Sequence, residues 1–146
     1  MPAWRPCAPA AASVAAVKEP AGRRWLRYGL ALLFVGAGLL HFIRPETYLR
    51  IMPPALPAPR LLVLLSGAAE VAGGLGLLLP ATRRLAAWGL LALLVAVFPA
   101  NVYMLTIFEK LHIPAWLAWA RLPLQPLLMW AVWRAGNLTL RAKRGK

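Results

Sequence analysis

The sequence predicts an all-α integral membrane protein, folded as a four-helix bundle with both termini in the cytoplasm. Three observations support this fold class. Of the 146 residues, 61% are hydrophobic and the mean hydropathy is +0.64, whereas soluble domains are about half apolar. The apolar residues fall into four blocks, each long enough to cross about 30 Å of hydrocarbon at about 1.5 Å per residue. Basic residues flank these blocks, as is typical of membrane-spanning helices.

Each of the four blocks ends at a proline or at charged residues, which mark helix and membrane boundaries. The fourth block is the least regular, because Arg121, Pro123, Gln125 and Pro126 interrupt it. We therefore expect a kink or a partly opened turn there. The predicted spans cover residues 25–43, 61–79, 85–107 and 115–133.

The orientation follows from the distribution of Lys and Arg. With Arg27 and Arg134 of the adjoining span ends included, the N-terminal and C-terminal segments hold five each and the loop between spans two and three holds two, whereas the other two loops hold three and one. Basic residues concentrate on the cytoplasmic side, so both termini are predicted to lie there. We expect residues 1–24 to form a disordered basic tail, residues 25–135 the membrane domain, and residues 136–146 a second basic tail.

Composition also excludes several classes of function. The net charge of +13 does not predict a nucleic-acid partner, because the charges lie at span ends, where they meet anionic lipid headgroups. Cys7 is the single cysteine, which excludes a stand-alone thiol oxidoreductase. The sequence has no paired-carboxylate site, phosphate-binding glycine loop, haem motif or metal-ligand cluster. We therefore assign no catalytic residue and no metal, and expect no enzymatic activity from the chain alone.

Away from the cytoplasmic span ends, five charged, imidazole or amide side chains lie inside the predicted spans, all in the outer half of the membrane or at its midplane. A charged residue at such depth is costly unless it is paired, and it is by default a candidate functional residue. One interpretation is structural: Glu70 and Arg121 form a buried ion pair, and two amides join helices by hydrogen bonds. The other is a polar pocket, open to the outer face, that binds a small amphiphile or moves a proton. The five candidates are His41, Glu70, Asn101, Arg121 and Gln125.

Two further features concern packing and access. Small residues recur at four-residue spacing in span two, at Ala69 and Gly73 and at Ala72 and Gly76, which predicts close helix packing in lipid. The loop PETYLRIMPPALPAPR after span one combines five prolines with apolar side chains. It is either a connector in the headgroup region or a lid over an outward-facing cavity, and the sequence leaves both open.

Four segments resemble the DoxX family of small four-helix bacterial membrane proteins, and more closely its uncharacterised branch than the subunit that gave the family its name. They are GLLHFIRPETYLRIMPPALP, SGAAEVAGGLGLLLPATRRLAAWGL, FPANVYM and RLPLQPLLMWAVW. The resemblance covers about residues 25–135. Its polar pattern is a His at the end of span one, S-G-x-x-E in span two, P-x-N in span three and R-x-P-x-Q in span four. By position, this pattern falls on the same five residues: His41, Glu70, Asn101, Arg121 and Gln125.

The resemblance implies a multi-pass protein of the bacterial inner membrane. The family takes its name from a membrane subunit of a thiosulfate:quinone oxidoreductase, so we expect a quinone-facing accessory or anchor subunit of a redox complex. Its cofactor would be a non-covalent quinone, and its partners the lipid bilayer together with a redox protein or further copies of the chain. The alternative is a non-catalytic protein of membrane assembly or stress resistance, in which Glu70 and Arg121 form a structural ion pair.

Overall fold

A computed structural model of the protein describes residues 20–138, and within them it contains helices and no strands. Four helices are long, and a five-residue helix lies in the proline-rich loop after the first. Of the predicted tails 1–24 and 136–146, residues 1–19 and 139–146 lie outside the described residues. The helices are α1 (Ala21–Ile43), α2 (Pro45–Leu49), α3 (Pro59–Leu78), α4 (Arg83–Ile107) and α5 (Ala115–Ala135).

Three of these helices, α1, α3 and α4, are long and apolar enough to cross a membrane. The helix α5 has 21 residues, but Arg121, Gln125 and two prolines make it less apolar than the other three. Large apolar side chains point outward along the helices. Leu32, Leu85 and Trp116, for example, are at least 70% exposed. Soluble monomers seldom expose large contiguous apolar surfaces, so these surfaces indicate a membrane protein.

The long helices pack in chain order, α1 on α3, α3 on α4 and α4 on α5, and α5 also contacts α1. The main apolar core lies where α1 and α4 begin and where α3 and α5 end. Its most buried members include Leu77, Leu90 and Val132. The sequence-predicted polar residues lie outside this core cluster, toward the opposite ends of the helices.

Glycines allow the helix backbones to approach closely. A Cβ atom on Gly73 would collide with the side chain of Leu90, and one on Gly76 would lie 2.7 Å from Cβ of Ala86, so α3 presses against α4 at both positions. These are the glycines that the small-residue spacing predicts, and the predicted close packing is confirmed. On the other side of α3, a Cβ on Gly74 would lie 3.1 Å from the carbonyl oxygen of Ala31 in α1.

The helix boundaries agree with the predicted spans to within a few residues, with two corrections. The first helix begins at Ala21, inside the segment predicted to be a tail, and Arg27 in that helix is buried, with 4% of its surface exposed. The second correction concerns α5, which continues through Pro123 and Pro126. A kink or a partly opened turn was expected there, and the opened turn is absent.

Candidate functional site

The site is built where α1 crosses α3, and two glycines determine how close these helices come. A Cβ on Gly67 would lie 2.6 Å from Cβ of His41, and one on Gly38 would lie 2.6 Å from the carbonyl oxygen of Gly67 and 3.0 Å from Cβ of Glu70. Each titratable residue follows its own glycine by three positions, so glycine and titratable residue share one helix face. Gly67 of α3 therefore lies against the side chain of His41, and Gly38 of α1 lies against that of Glu70.

This crossing brings the imidazole of His41 to the carboxylate of Glu70. His41 Nδ1 lies 3.7 Å from Glu70 Oε2, and 2.9 Å from the carbonyl oxygen of Ala37. A carbonyl oxygen only accepts hydrogen bonds, so Nδ1 carries a hydrogen and donates it to Ala37. That hydrogen is therefore not available to the carboxylate.

The consequence is a buried carboxylate oxygen without a hydrogen-bond partner. Among the described residues, Glu70 Oε2 receives no hydrogen bond although it is fully buried, and the Glu70 side chain as a whole is only 15% exposed. Buried polar atoms are nearly always hydrogen-bonded, and an exception indicates a functional role or a missing partner. Oε2 can accept a hydrogen bond from a ligand hydroxyl once the side chains that cover it move aside.

Tyr48 of the short helix α2 covers this pair. Its ring stacks on the imidazole of His41, with ring centroids 3.7 Å apart and planes inclined by 22°. Burial raises the pKa of the Tyr48 hydroxyl, and the charge of Glu70 raises it further, whereas the charge of Arg121 lowers it. The short helix α2 packs against α3 and α1. Of the two interpretations of this loop, its contact with His41 favours the lid.

The predicted ion pair between Glu70 and Arg121 is wrong. Within residues 20–138, the basic side chain beside Glu70 is that of His41, 3.7 Å away, and the buried oxygen of Glu70 receives no hydrogen bond from Arg121. The half-buried Arg121 lies near enough to act electrostatically on Tyr48. Because α1 packs closely on α3 at the glycine crossing, the residue that reaches Glu70 comes from α1 and not from α5.

The two predicted amides form a separate hydrogen-bonded pair between α4 and α5. Asn101 Nδ2 donates to Gln125 Oε1 at 2.9 Å, and Gln125 Nε2 donates to the carbonyl oxygen of Leu94. Pro99 has no amide hydrogen, so it cannot donate to the carbonyl oxygen of Val95 four residues before it. The carbonyl that accepts from Gln125 is not this one but that of Leu94, one residue earlier. The expected hydrogen bonding between helices is present, and Gln125 is 5% exposed.

The five predicted residues thus divide into two groups. His41 and Glu70 meet under Tyr48, with Arg121 close enough to influence that tyrosine. Asn101 and Gln125 form the interhelical tie. Sequence reasoning missed Tyr48 as a site residue, because its loop gave no sign of which side chain would turn inward. The repeated spacing of glycine and titratable residue, G-x-x-H in α1 and G-x-x-E in α3, would have indicated that His41 meets Glu70.

A cavity of about 540 Å³ lies away from this site, on the surface of the bundle between α4 and α5. It is almost wholly apolar and extends along the half of the molecule that holds the apolar core. We call it the tryptophan groove. It is lined by Trp88, Leu91, Ala92, Val95, Met129, Trp130 and Trp133.

Comparison with known proteins gives a family and no assigned activity. No curated protein and no solved structure matches the chain. One family model matches residues 30–135, which include all four long helices in whole or in large part and every residue of the site. The chain belongs to this family, which is described as a domain of unknown function, DUF8561.

Proposed function

We propose that the protein is a DoxX-like bundle of four membrane-spanning helices in the bacterial inner membrane, with both termini in the cytoplasm. The helix α5 is the fourth span. Its 21 residues equal about 30 Å of helix, and it packs between α4 and α1. Its Gln125 is hydrogen-bonded inside the bundle, which removes much of the cost of a polar side chain at that depth. The excess of basic residues on one side supports the orientation.

Within that bundle, we propose that the protein is a quinone-facing accessory or anchor subunit of a membrane redox complex. The single observation that carries this proposal is the buried oxygen Oε2 of Glu70, which lacks a hydrogen-bond donor among the described residues. A bare carboxylate oxygen in a low-dielectric site is costly. A fold that keeps it, beside a histidine and under an aromatic ring, is suited to a ligand that supplies the missing donor.

The residues of the site fit the headgroup of a quinone in its reduced form, which carries hydroxyl donors. Glu70 Oε2 would accept a hydrogen bond from one hydroxyl. Because Nδ1 of His41 donates to Ala37, Nε2 of the neutral ring is left as a second acceptor. The aromatic ring of Tyr48 over His41 would exclude water from the pair. A bound quinone supplies two-electron, two-proton redox chemistry, and a carboxylate beside an imidazole can hold and pass the protons.

The test is ligand retention by gently purified protein, measured by native mass spectrometry with extraction and identification of bound quinone. We expect the wild-type protein to retain quinone. Glu70→Gln should retain at least tenfold less, since a hydrogen bond to a charged group contributes about 1.5–3 kcal/mol. Glu109→Gln is the matched control, because it removes an exposed carboxylate in the loop after α4.

Two results would contradict the proposal. One is equal quinone retention by the wild-type protein and a folded Glu70→Gln variant. The other is a wild-type protein that binds no quinol when ubiquinol or menaquinol is added in excess. Either result, combined with a co-purifying membrane protein whose binding survives Glu70→Gln, would favour the alternative of a non-catalytic assembly or stress protein.

A further inference from the structure

The tryptophan groove opens onto the lipid side of the bundle, away from the crossing of α1 and α3. Its α4 wall extends from Trp88 to Val95, which is about 10 Å along the helix axis. Half of the hydrocarbon core measures about 15 Å. The groove therefore extends along part of the hydrocarbon layer of one lipid leaflet, and its walls are almost entirely apolar.

One end of the groove is strongly basic. Arg84 lies one helical turn before Trp88 and is exposed, and residues four apart share a helix face. The guanidinium carbon of Arg134, also exposed, lies 5.8 Å from the centre of the Trp130 ring. Both arginines therefore lie beside the same end of the groove, where α4 begins and α5 ends.

No acidic residue balances these charges in the part of the chain that the structure describes. Its carboxylates are Glu46 in α2, Glu70 in the middle of α3 and Glu109 beyond the end of α4. Arg23 of α1 adds a further cation at the same end, where its Nη1 donates to Asn137 Oδ1 at 2.9 Å. The tryptophan groove thus has apolar walls along its length and cationic side chains at one end.

We propose that the tryptophan groove is a binding site for an anionic phospholipid of the cytoplasmic leaflet. One acyl chain lies between α4 and α5, against the indole rings, and the phosphate is held by Arg84 and Arg134. Basic sites between helices on the cytoplasmic side are the places where anionic headgroups bind. Tryptophan rings at the membrane interface suit the boundary between chain and headgroup. The choice of leaflet rests on the proposed orientation of the bundle, and the site is independent of Glu70 and of the quinone proposal.

The test uses the full-length protein in detergent, titrated with phosphatidylglycerol or with phosphatidylcholine of identical acyl chains, and read by native mass spectrometry. We expect tighter binding of phosphatidylglycerol. Since an arginine near the surface contributes about 1 kcal/mol toward an anionic lipid, Arg84→Gln and Arg134→Gln should each weaken phosphatidylglycerol binding by roughly fivefold. Neither change should alter phosphatidylcholine binding.

Two further variants separate the groove from charge alone. Ala92→Trp fills the apolar wall and should abolish the preferential binding with both arginines still present. Arg60→Gln removes an exposed cation at the start of α3 and should leave binding unchanged. Equal affinity for the two lipids would overturn the proposal, as would an Ala92→Trp protein that binds phosphatidylglycerol normally. A change from dimer to monomer in Ala92→Trp would also overturn it, because the groove would then hold a second copy of the chain.

Discussion

Adding one methyl group at Gly67 should separate α1 from α3 and dismantle the site. In Gly67→Ala, the new Cβ would lie 2.6 Å from Cβ of His41 and 2.9 Å from the carbonyl oxygen of Gly38. Carbon atoms in favourable contact lie about 3.5–4.0 Å apart, so the helices must move apart by roughly 1 Å. Overpacking of this kind costs about 1–3 kcal/mol. Alanine in a helix gains about 0.5–1 kcal/mol over glycine, so we expect a loss of up to about 2.5 kcal/mol relative to the wild-type protein, and of about 1–3 kcal/mol relative to an alanine variant without the overpacking.

The assay is unfolding in mixed micelles of dodecylmaltoside and increasing dodecyl sulfate, followed by far-ultraviolet circular dichroism and tryptophan fluorescence. The matched control is Gly36→Ala, at an exposed position of α1, where an added Cβ meets nothing within 4 Å. We expect the control to be as stable as the wild-type protein or slightly more stable. A Gly67→Ala protein with the same free energy of unfolding as Gly36→Ala would refute the close crossing on which the site depends.

Three other predictions follow from the site and its surroundings. In a double-mutant cycle, Asn101→Leu and Gln125→Leu should show a coupling free energy of about 0.5–1.5 kcal/mol, and additive losses would mean that the amide hydrogen bond contributes nothing. The pKa of Tyr48, followed by the ring carbon signals in NMR, should fall in Glu70→Gln and rise in Arg121→Gln, because the two charges act on it in opposite directions; three identical titrations would contradict this placement. Because the pKa of Tyr48 is raised on folding, its contribution to stability is complete below about pH 10 and is lost as pH rises through the folded pKa. Tyr48→Phe should remove that alkaline loss, which a pH series of unfolding curves would detect.

The positions of the helices could be predicted from the sequence, because each depends on a long apolar block and on prolines or charges at its ends. The predicted spans 61–79 and 85–107 differ by one or two residues from α3 and α4. The start of α1 was less predictable. Ala21 to Arg24 are polar or small and resemble a tail, yet they form the first turn of a helix whose apolar part holds it in the bundle. Tertiary packing, more than local preference, extends such a helix.

The polar residues could also be found, because each stands out in an apolar block. Their partners could not all be assigned. Opposite charge suggested Arg121 as the partner of Glu70, but attraction between charges acts only between side chains that the backbone brings together. The close contact between Gly38 and Gly67 brings α1 against α3, and it places His41 beside Glu70. The two amides were predictable as an interhelical tie, since each has few alternatives inside an apolar bundle.

The position of Tyr48 could not be derived from the sequence. The loop that holds it contains several apolar side chains and five prolines, and any of those side chains could have faced the bundle. Only the folded chain places the Tyr48 ring on His41, because α2 is a short helix packed against α1 and α3. A contact of this kind depends on the path of the whole loop and not on a local motif.

The central claim is that Glu70 is kept for binding and not for stability, and the free energy of unfolding of Glu70→Gln tests it most directly. A buried oxygen without a donor contributes no stability. We therefore predict that Glu70→Gln unfolds at the same dodecyl sulfate fraction as the wild-type protein or at a higher one. If Glu70 and His41 instead formed a structural ion pair, removing one partner should cost about 3–5 kcal/mol. A loss of that size would contradict the account.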